Sequence, residues 1–214
     1  MSGRSGPPLL AATPNKMASN FVNLATTESV RKAQEHYFGR SQTVTDVSAR
    51  DALTDEELSF IQARDSFYMA SISESGWPYL QHRGGRTGFL RVLNPQTLAF
   101  ADYPGNRQML STGNIAANNR VALFLMDYPQ RTRLKILGHA RIEDARQRPD
   151  LVRQLSEPDV HRIVERLFLV EVVAFDWNCP KYITPRYTAE EIQELIAPLK
   201  ARIAELETQS NHGK

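Results

Sequence analysis

The sequence predicts a mainly β domain, an antiparallel barrel of six or seven short strands with helices packed around it. Two observations carry that expectation. Strand-like runs recur between Phe67 and Phe175, most of them linked to the next by a short turn, the pattern of an antiparallel rather than a parallel sheet. No Gly-x-Gly-x-x-Gly follows a strand and no Walker-type loop occurs, which removes the commonest nucleotide-binding folds.

The elements follow in order. Residues 28–38 carry a helical pattern that stops at Gly39. Thr54-Asp55-Glu56-Glu57 has the form of a capping box, and Leu58, Phe60 and Ile61 give the short helix behind it an apolar face ending near Arg64. From Phe67 to Ser73 the chain reads as a strand, Glu74-Ser75-Gly76 as a turn, and 78–82 as the returning strand. Arg83-Gly84-Gly85-Arg86 is expected to interrupt regular structure. Residues 89–93 are apolar, Asn94-Pro95 starts a turn, and 97–101 is a third main strand. A helix is expected over 106–118, with Met109, Leu110 and Ile115 among its apolar positions. The continuous apolar run 121–126 predicts a strand buried on both faces. Another strand is expected over 134–142 around Gly138, helices over 150–155 and 159–166, and a last strong strand over 167–175. From Ala189 onward Thr188 and Glu191 form a second capping box. Ile192, Leu195, Ile196, Leu199, Ile203 and Leu206 mark one apolar stripe. Such a stripe must cover either the barrel or a second subunit, and core packing is the default reading.

Domain boundaries follow from these elements: a mobile tail (1–20), an N-terminal helical segment (21–64), the barrel (65–180) and a C-terminal helix with its tail (181–214). The first fourteen residues are rich in Gly, Pro, Ser and Ala, and Met17 is a second candidate start. With 214 residues and 41% hydrophobic content the chain supports one domain with extensions and a real core. No apolar run approaches the roughly 20 residues needed to cross a bilayer. The cluster Leu9-Leu10-Ala11-Ala12 is too short for a signal-peptide core. A single cysteine, Cys179, excludes an intrachain disulfide framework, and the simple inference is a cytoplasmic protein. A formal charge of +2 is too small to argue for nucleic acid. No His/Cys/Asp cluster has metal-ligand spacing, and no nucleophile elbow is present.

Charge is unevenly spread. Between Phe67 and Glu143 nine basic residues face four acids, about +5, and the remainder of the chain is about −3. Scatter on a solvated face and an anion site both fit that imbalance. Three basic elements sharpen it. Gln81-His82-Arg83-Gly84-Gly85-Arg86 offers forked donors and a backbone that a ligand can approach, which suits phosphate oxygens; alone it is also an ordinary glycine-rich hairpin. Asp102-Tyr103-Pro104-Gly105-Asn106-Arg107 lies between a strand and a helix, so Asn106 is a candidate cap and a phosphate there would meet free amides, with Arg107 adding charge. Arg131, Arg133 and Lys135 alternate at strand spacing and share one face.

The ordered series resembles the FMN-binding split-barrel family related to pyridoxamine 5′-phosphate oxidase. It runs from Ser73-Glu74-Ser75-Gly76-Trp77-Pro78 through Gln81 to Arg86, Thr97-Leu98-Ala99-Phe100-Ala101-Asp102 and Pro104-Gly105-Asn106-Arg107. Asn118-Asn119-Arg120-Val121-Ala122-Leu123 and Leu134-Lys135-Ile136-Leu137-Gly138-His139-Ala140 complete it. The resemblance covers residues 65–144 well and is looser through 176. It implies a mainly β (α+β) fold, an antiparallel Greek-key split β-barrel with flanking helices, and here a long C-terminal amphipathic helix. It implies FMN as cofactor, and as its ligands Gln81, His82, Arg83, Gly84, Gly85, Arg86, Asp102, Asn106 and Arg107, with Arg133 and Lys135 beside the ring. A homodimer with the flavin at the subunit interface is also implied.

The sequence departs from the true oxidases. Where they carry Arg-x-Val-Leu-Leu-Lys it reads Gln-His-Arg-Gly-Gly-Arg, and their C-terminal Arg-x-His is replaced by Pro185-Arg186-Tyr187. The expectation is therefore an FMN-dependent oxidoreductase acting on a small molecule other than vitamin B6, with NAD(P)H a possible donor. A non-catalytic flavin module, and the same barrel holding F420 or heme, stand as alternatives. No catalytic residue is assigned. Cys179 is read as structural or incidental rather than a redox thiol, Trp177 as either a ring-stacking or a core residue, His82 as a proton relay or a hydrogen-bonding residue, and His139 as structural.

Overall fold

In the computed structural model, which describes residues 19–44, 49–177 and 181–212, the strand-like runs form one seven-stranded sheet. Residues 1–18, with Met17, and Cys179 lie outside that description. Helices α1 (Ser19–Ala25), α2 (Glu28–Phe38) and α3 (Asp55–Gln62) come first. The strands are β1 (Ser66–Ile72), β2 (Pro78–Gly84), β3 (Arg91–Asn94) and β4 (Thr97–Asp102), then, after α4 (Leu110–Ala117), β5 (Arg120–Asp127) and β6 (Thr132–Asp144). Helix α5 (Pro149–Leu155), β7 (Arg166–Trp177) and α6 (Ala189–His212) complete the chain.

Local signals placed the early elements well. Gly39 closes α2 in the left-handed region (φ 66°), where glycine carries no Cβ penalty. At α3 the Glu57 carboxylate accepts from both the amide (2.8 Å) and the hydroxyl (2.6 Å) of Thr54, and from Trp177 Nε1 at 2.6 Å. Glu57 is thus buried yet satisfied, as a buried carboxylate must be. The same contact holds Trp177 edge-on to Phe60, a packing role rather than a ring-stacking one.

The strand order is β2-β1-β5-β6-β7-β4-β3. Laid flat, β1 and β4 would be four strand spacings apart, about 19 Å. Yet the rings of Phe67 on β1 and Phe100 on β4 lie 5.4 Å apart. The sheet must therefore curl on itself. Where its two ends approach, side chains rather than backbone ladders bridge the gap, which makes the barrel split. Phe67, Met69, Leu98, Phe100, Leu123, Leu134, Ile136 and Phe168 fill its interior.

A second core lies outside the barrel, where Ala99, Ala101, Leu167 and Leu169 pack against Leu151, Val152 and Leu155 of α5. Strand β4 and the first half of β7 (residues 167–170) are thus covered on both faces, which explains their apolar runs. Strand β5 is not. Val121, Leu123 and Leu125 are buried, but Ala122, Phe124 and Met126 stay half-buried, so the two-sided burial expected of that run is corrected.

Other expectations also shift. Strand β2 runs on through Arg83 and Gly84, paired with Phe67 and Ser66, so the Arg-Gly-Gly-Arg segment does not break the strand where expected. The helix expected over 106–118 begins only at Leu110, and 159–166 holds a 3-10 turn at His161–Ile163 before β7 starts at Arg166. Gly138 sits at a register shift between β6 and β7, where an added Cβ would stand 2.7 Å from Glu171 O.

Residues 127–132 and 180–214 form a second compact unit. In it, Thr188 and Glu191 exchange capping bonds (2.7 and 3.1 Å) at the start of α6, and Arg186 lies over the Tyr128 ring. The six stripe residues of α6 are 38% to 63% exposed, so the stripe is not buried in a core as the default reading held. Among the described residues no helix is long and apolar enough to cross a membrane.

Candidate functional site

Alternation along β2 sends Tyr79, Gln81 and Arg83 to one side and leaves Leu80 and His82 exposed on the other. On the inward side, at the mouth of the split, Arg83 meets the end of β4. Its Nη1 donates to Asp102 Oδ1 at 2.7 Å. Asp102 Oδ2 accepts from Arg166, at 2.9 Å from Nε and 2.7 Å from Nη2. Register produces the second contact, because Asp102 is the Cα partner of Arg166 across β4 and β7. The three side chains are 12%, 14% and 16% exposed, so this is a largely desolvated Arg–Asp–Arg triad. Glu165, a third exposed, also accepts from Arg166 at 3.0 Å.

Burial holds the Arg83 guanidinium below its ordinary pKa, with Asp102 opposing that shift. Its carbon stands 4.8 Å from the centre of the Phe168 ring, and its buried Nε has no hydrogen-bond partner. A guanidinium so placed remains cationic and under-satisfied.

A polar cavity of about 210 Å³ opens beside the triad. Tyr79, Gln81, Arg83, Asp102, Tyr103, Arg166, the 105–109 loop and the first turn of α4 (Leu110, Ser111, Thr112) line it. The helix start is unusual. Met109 is its cap residue in the left-handed region (φ 57°) and supplies no side-chain capping bond. Asn106 instead closes the preceding loop, its Oδ1 accepting from the Gln108 amide at 3.1 Å. The first amides of α4 therefore lack the side-chain cap that Ser, Thr, Asp or Asn would give, at the positive end of the helix dipole, and the residues of that first turn line the cavity. Two bonds fix α4 against the sheet: Ser111 Oγ donates to Gln81 Oε1 (2.7 Å), and Asn114 Nδ2 donates to Ser71 Oγ (3.0 Å).

The cavity lining carries Arg83, Arg107 and Arg166 against one carboxylate, Asp102. With uncapped amides added, this donor set fits an anion with several oxygens, a phosphate above all. It does not fit an apolar ring.

Of the expected site residues, Gln81, Arg83, Asp102, Asn106 and Arg107 come together here. His82 lies on the opposite side of β2, edge-on to Tyr68. Gly84 ends the strand, and Gly85 allows the Phe89 ring to pack where a Cβ would stand 2.7 Å from it. Arg86 is 77% exposed and only 3.9 Å from Asp159. Arg133 and Lys135 are outside the lining too: Arg133 stacks over Phe124, while Lys135 pairs with Asp176 (2.5 Å) and lies over Phe21. The expected convergence of three basic elements thus reduces to two at this cavity. His139 is hydrogen-bonded to Asn119, in keeping with a structural role. Arg166, Tyr79, Ser111 and Thr112 were missed. The sequence pattern sets Arg166 at the end of a helix, and only the register of two strands distant in sequence reveals it.

Comparison with known proteins agrees with the fold. Residues 53–172, more than half of the chain, match the pyridoxamine 5′-phosphate oxidase family. The chain belongs to that family. Among solved structures it is similar to a putative pyridoxamine 5′-phosphate oxidase from Lactobacillus delbrueckii, at 19% identity and a TM-score of 0.46, covering 58% of this chain and 93% of that one. General stress protein 26 from Bacillus anthracis gives 15% identity and 0.42, covering 57% and 91%. An FMN-binding protein from Syntrophomonas wolfei gives 7% and 0.41, covering 58% and 87%. No curated protein sequence matches the chain.

Proposed function

We propose that this chain binds FMN by its phosphate in the triad cavity and acts as an FMN-dependent oxidoreductase on a small molecule. The observation that carries the reading is three arginines against one carboxylate at the uncapped start of α4. Arg107, Arg166 and the α4 amides hold the phosphate oxygens, while Arg83 adds fixed positive charge from the rear. Asp102 anchors two of the arginines in place. FMN when bound supplies hydride and electron transfer; the chain supplies binding, orientation and charge.

A volume of about 210 Å³ is below the roughly 300–1,000 Å³ that buries a whole drug-sized ligand. The cavity therefore takes the phosphate end, and the ring lies beyond it. In our reading the ring sits in a cleft completed by a second copy of the chain. The outer face of β1, β2 and β5, with Tyr68, Ile72 and Leu80 exposed and Phe124 half-buried, supports a homodimer.

The test is reconstitution of purified protein with FMN, followed by absorption and fluorescence. Saturable binding that weakens in Arg107→Ala supports the reading, and absence of flavin binding sinks it. Steady oxidation of NAD(P)H by the loaded protein separates an enzyme from a flavin-holding module.

A further inference from the structure

Helix α6 carries a feature that flavin binding leaves unused. Five of its six exposed apolar stripe residues, Ile192, Ile196, Leu199, Ile203 and Leu206, are spaced four, three, four and three apart, and the sixth, Leu195, falls beside them at a flanking g position. That is a heptad seam, with Ile196 and Ile203 at the a positions and Leu199 and Leu206 at d. Isoleucine at a with leucine at d is the combination that favours two parallel strands, and Ile192, a d position in the first turn, is the one departure.

We propose that α6 pairs in parallel with the α6 of a second copy of this chain. Charge selects that partner and that direction. In a parallel pair each g position faces the e position five residues on in the other strand. Arg202 at g then meets Glu207 of the other copy, and the contact occurs twice. Within its own helix Arg202 pairs with Glu205, in an exposed pair 61% open on both sides. An antiparallel pair centred on Leu199 would instead set Lys200 beside its own copy. Pro198 falls at position c, off the seam, so the carbonyl it leaves unbonded opens to water rather than into the contact. The seam spans roughly 22 Å at 1.5 Å per residue and is marginal alone, so it operates in the full chain, where a dimeric barrel would raise its effective concentration.

The proposal is separate from flavin binding, and one set of samples tests both. In full-length protein carrying Cys179→Ser, Leu206→Cys places a thiol at the C-terminal d position and Ala201→Cys places one at the outward f position. Mild oxidation is expected to link Leu206→Cys rapidly into covalent dimers and to leave Ala201→Cys largely unlinked. Adding Glu207→Lys should slow linkage several-fold, and Arg202→Glu with Glu207→Lys should restore it. Equal linkage at positions 206 and 201, none at 206, or no response to the charge exchange would overturn the proposal. FMN titration of the same variants reads the barrel separately. Unchanged FMN affinity with failed linkage rejects the helix pairing alone, and lost affinity with intact linkage rejects the flavin reading alone.

Discussion

Replacing Asp102 by Asn keeps the shape of the triad and removes its only negative charge. Arg83 and Arg166 are 12% and 16% exposed, so Arg83 is left with little water and without its carboxylate at 2.7 Å, and Arg166 keeps only the partly exposed Glu165 at 3.0 Å. Removing one partner of a buried charge pair costs about 3–5 kcal/mol, and the residual exposure here points to the lower end, about 3 kcal/mol. For a chain of this length each kcal/mol moves the midpoint of thermal unfolding by about 2–4 °C, so Asp102→Asn should lower Tm by about 6–12 °C. The sign of the anion effect separates this account from a generic packing defect. The variant cavity is more positive, so inorganic phosphate in excess should raise Tm more in Asp102→Asn than in the parent protein. Differential scanning calorimetry in phosphate-free buffer, with and without added phosphate, reads both effects. A Tm within about 2 °C of the parent, on the same scale, or equal phosphate shifts in the two proteins, would refute the reasoning.

The remaining predictions concern separate parts of the molecule. Arg107→Ala removes a charge-assisted contact of about 1.5–3 kcal/mol and should weaken FMN binding by roughly 10- to 100-fold, whereas Arg86→Ala, outside the cavity, should leave the titration unchanged. Gly138→Ala forces a Cβ to within 2.7 Å of Glu171 O and should destabilise by about 1–3 kcal/mol in urea unfolding. Gly113→Ala inside α4 meets nothing within 4 Å and should stabilise by about 0.5–1 kcal/mol. The Asp144 carboxyl, held down to about 2 by hydrogen bonds from Arg146, stabilises the fold above its ordinary value of 3.8 and loses that contribution as pH falls through about 2. An NMR titration should show that low midpoint, and Arg146→Ala should return it toward 3.8.

The fold was legible where local chemistry decides it. Gly39, the Thr54–Glu57 box, the Glu74-Ser75-Gly76 turn and the Thr188–Glu191 box each act within a few residues, and each element they bound formed as expected. Reading failed where distant pairing decides. Strand β2 continues through Arg83 because β1 offers Phe67 and Ser66 as partners, a fact that the glycine pair conceals. The start of α4 moved to Leu110 because Asn106 spends its side chain on the loop, and Arg107 and Met109 both adopt left-handed backbone, at φ 58° and 57°.

The site divides in the same way. Arginine excess points to the strands that line the cavity, and alternation on β2 separates Arg83 from His82. Nothing local sets Arg166 opposite Asp102, because that pairing is a matter of register between strands 64 residues apart. Lys135 and Arg133 had the right charge and spacing but face other partners, Asp176 and Phe124.

The central claim is that the triad cavity takes a phosphate. The most direct measurement is a parallel titration of the full-length apoprotein with FMN and with riboflavin, which differ only in that group. The account requires FMN to bind at least about 100-fold more tightly, the equivalent of roughly 2.7 kcal/mol from charge-assisted contacts. Inorganic phosphate should compete with FMN and leave riboflavin binding unaffected. Equal affinity for the two flavins would contradict it.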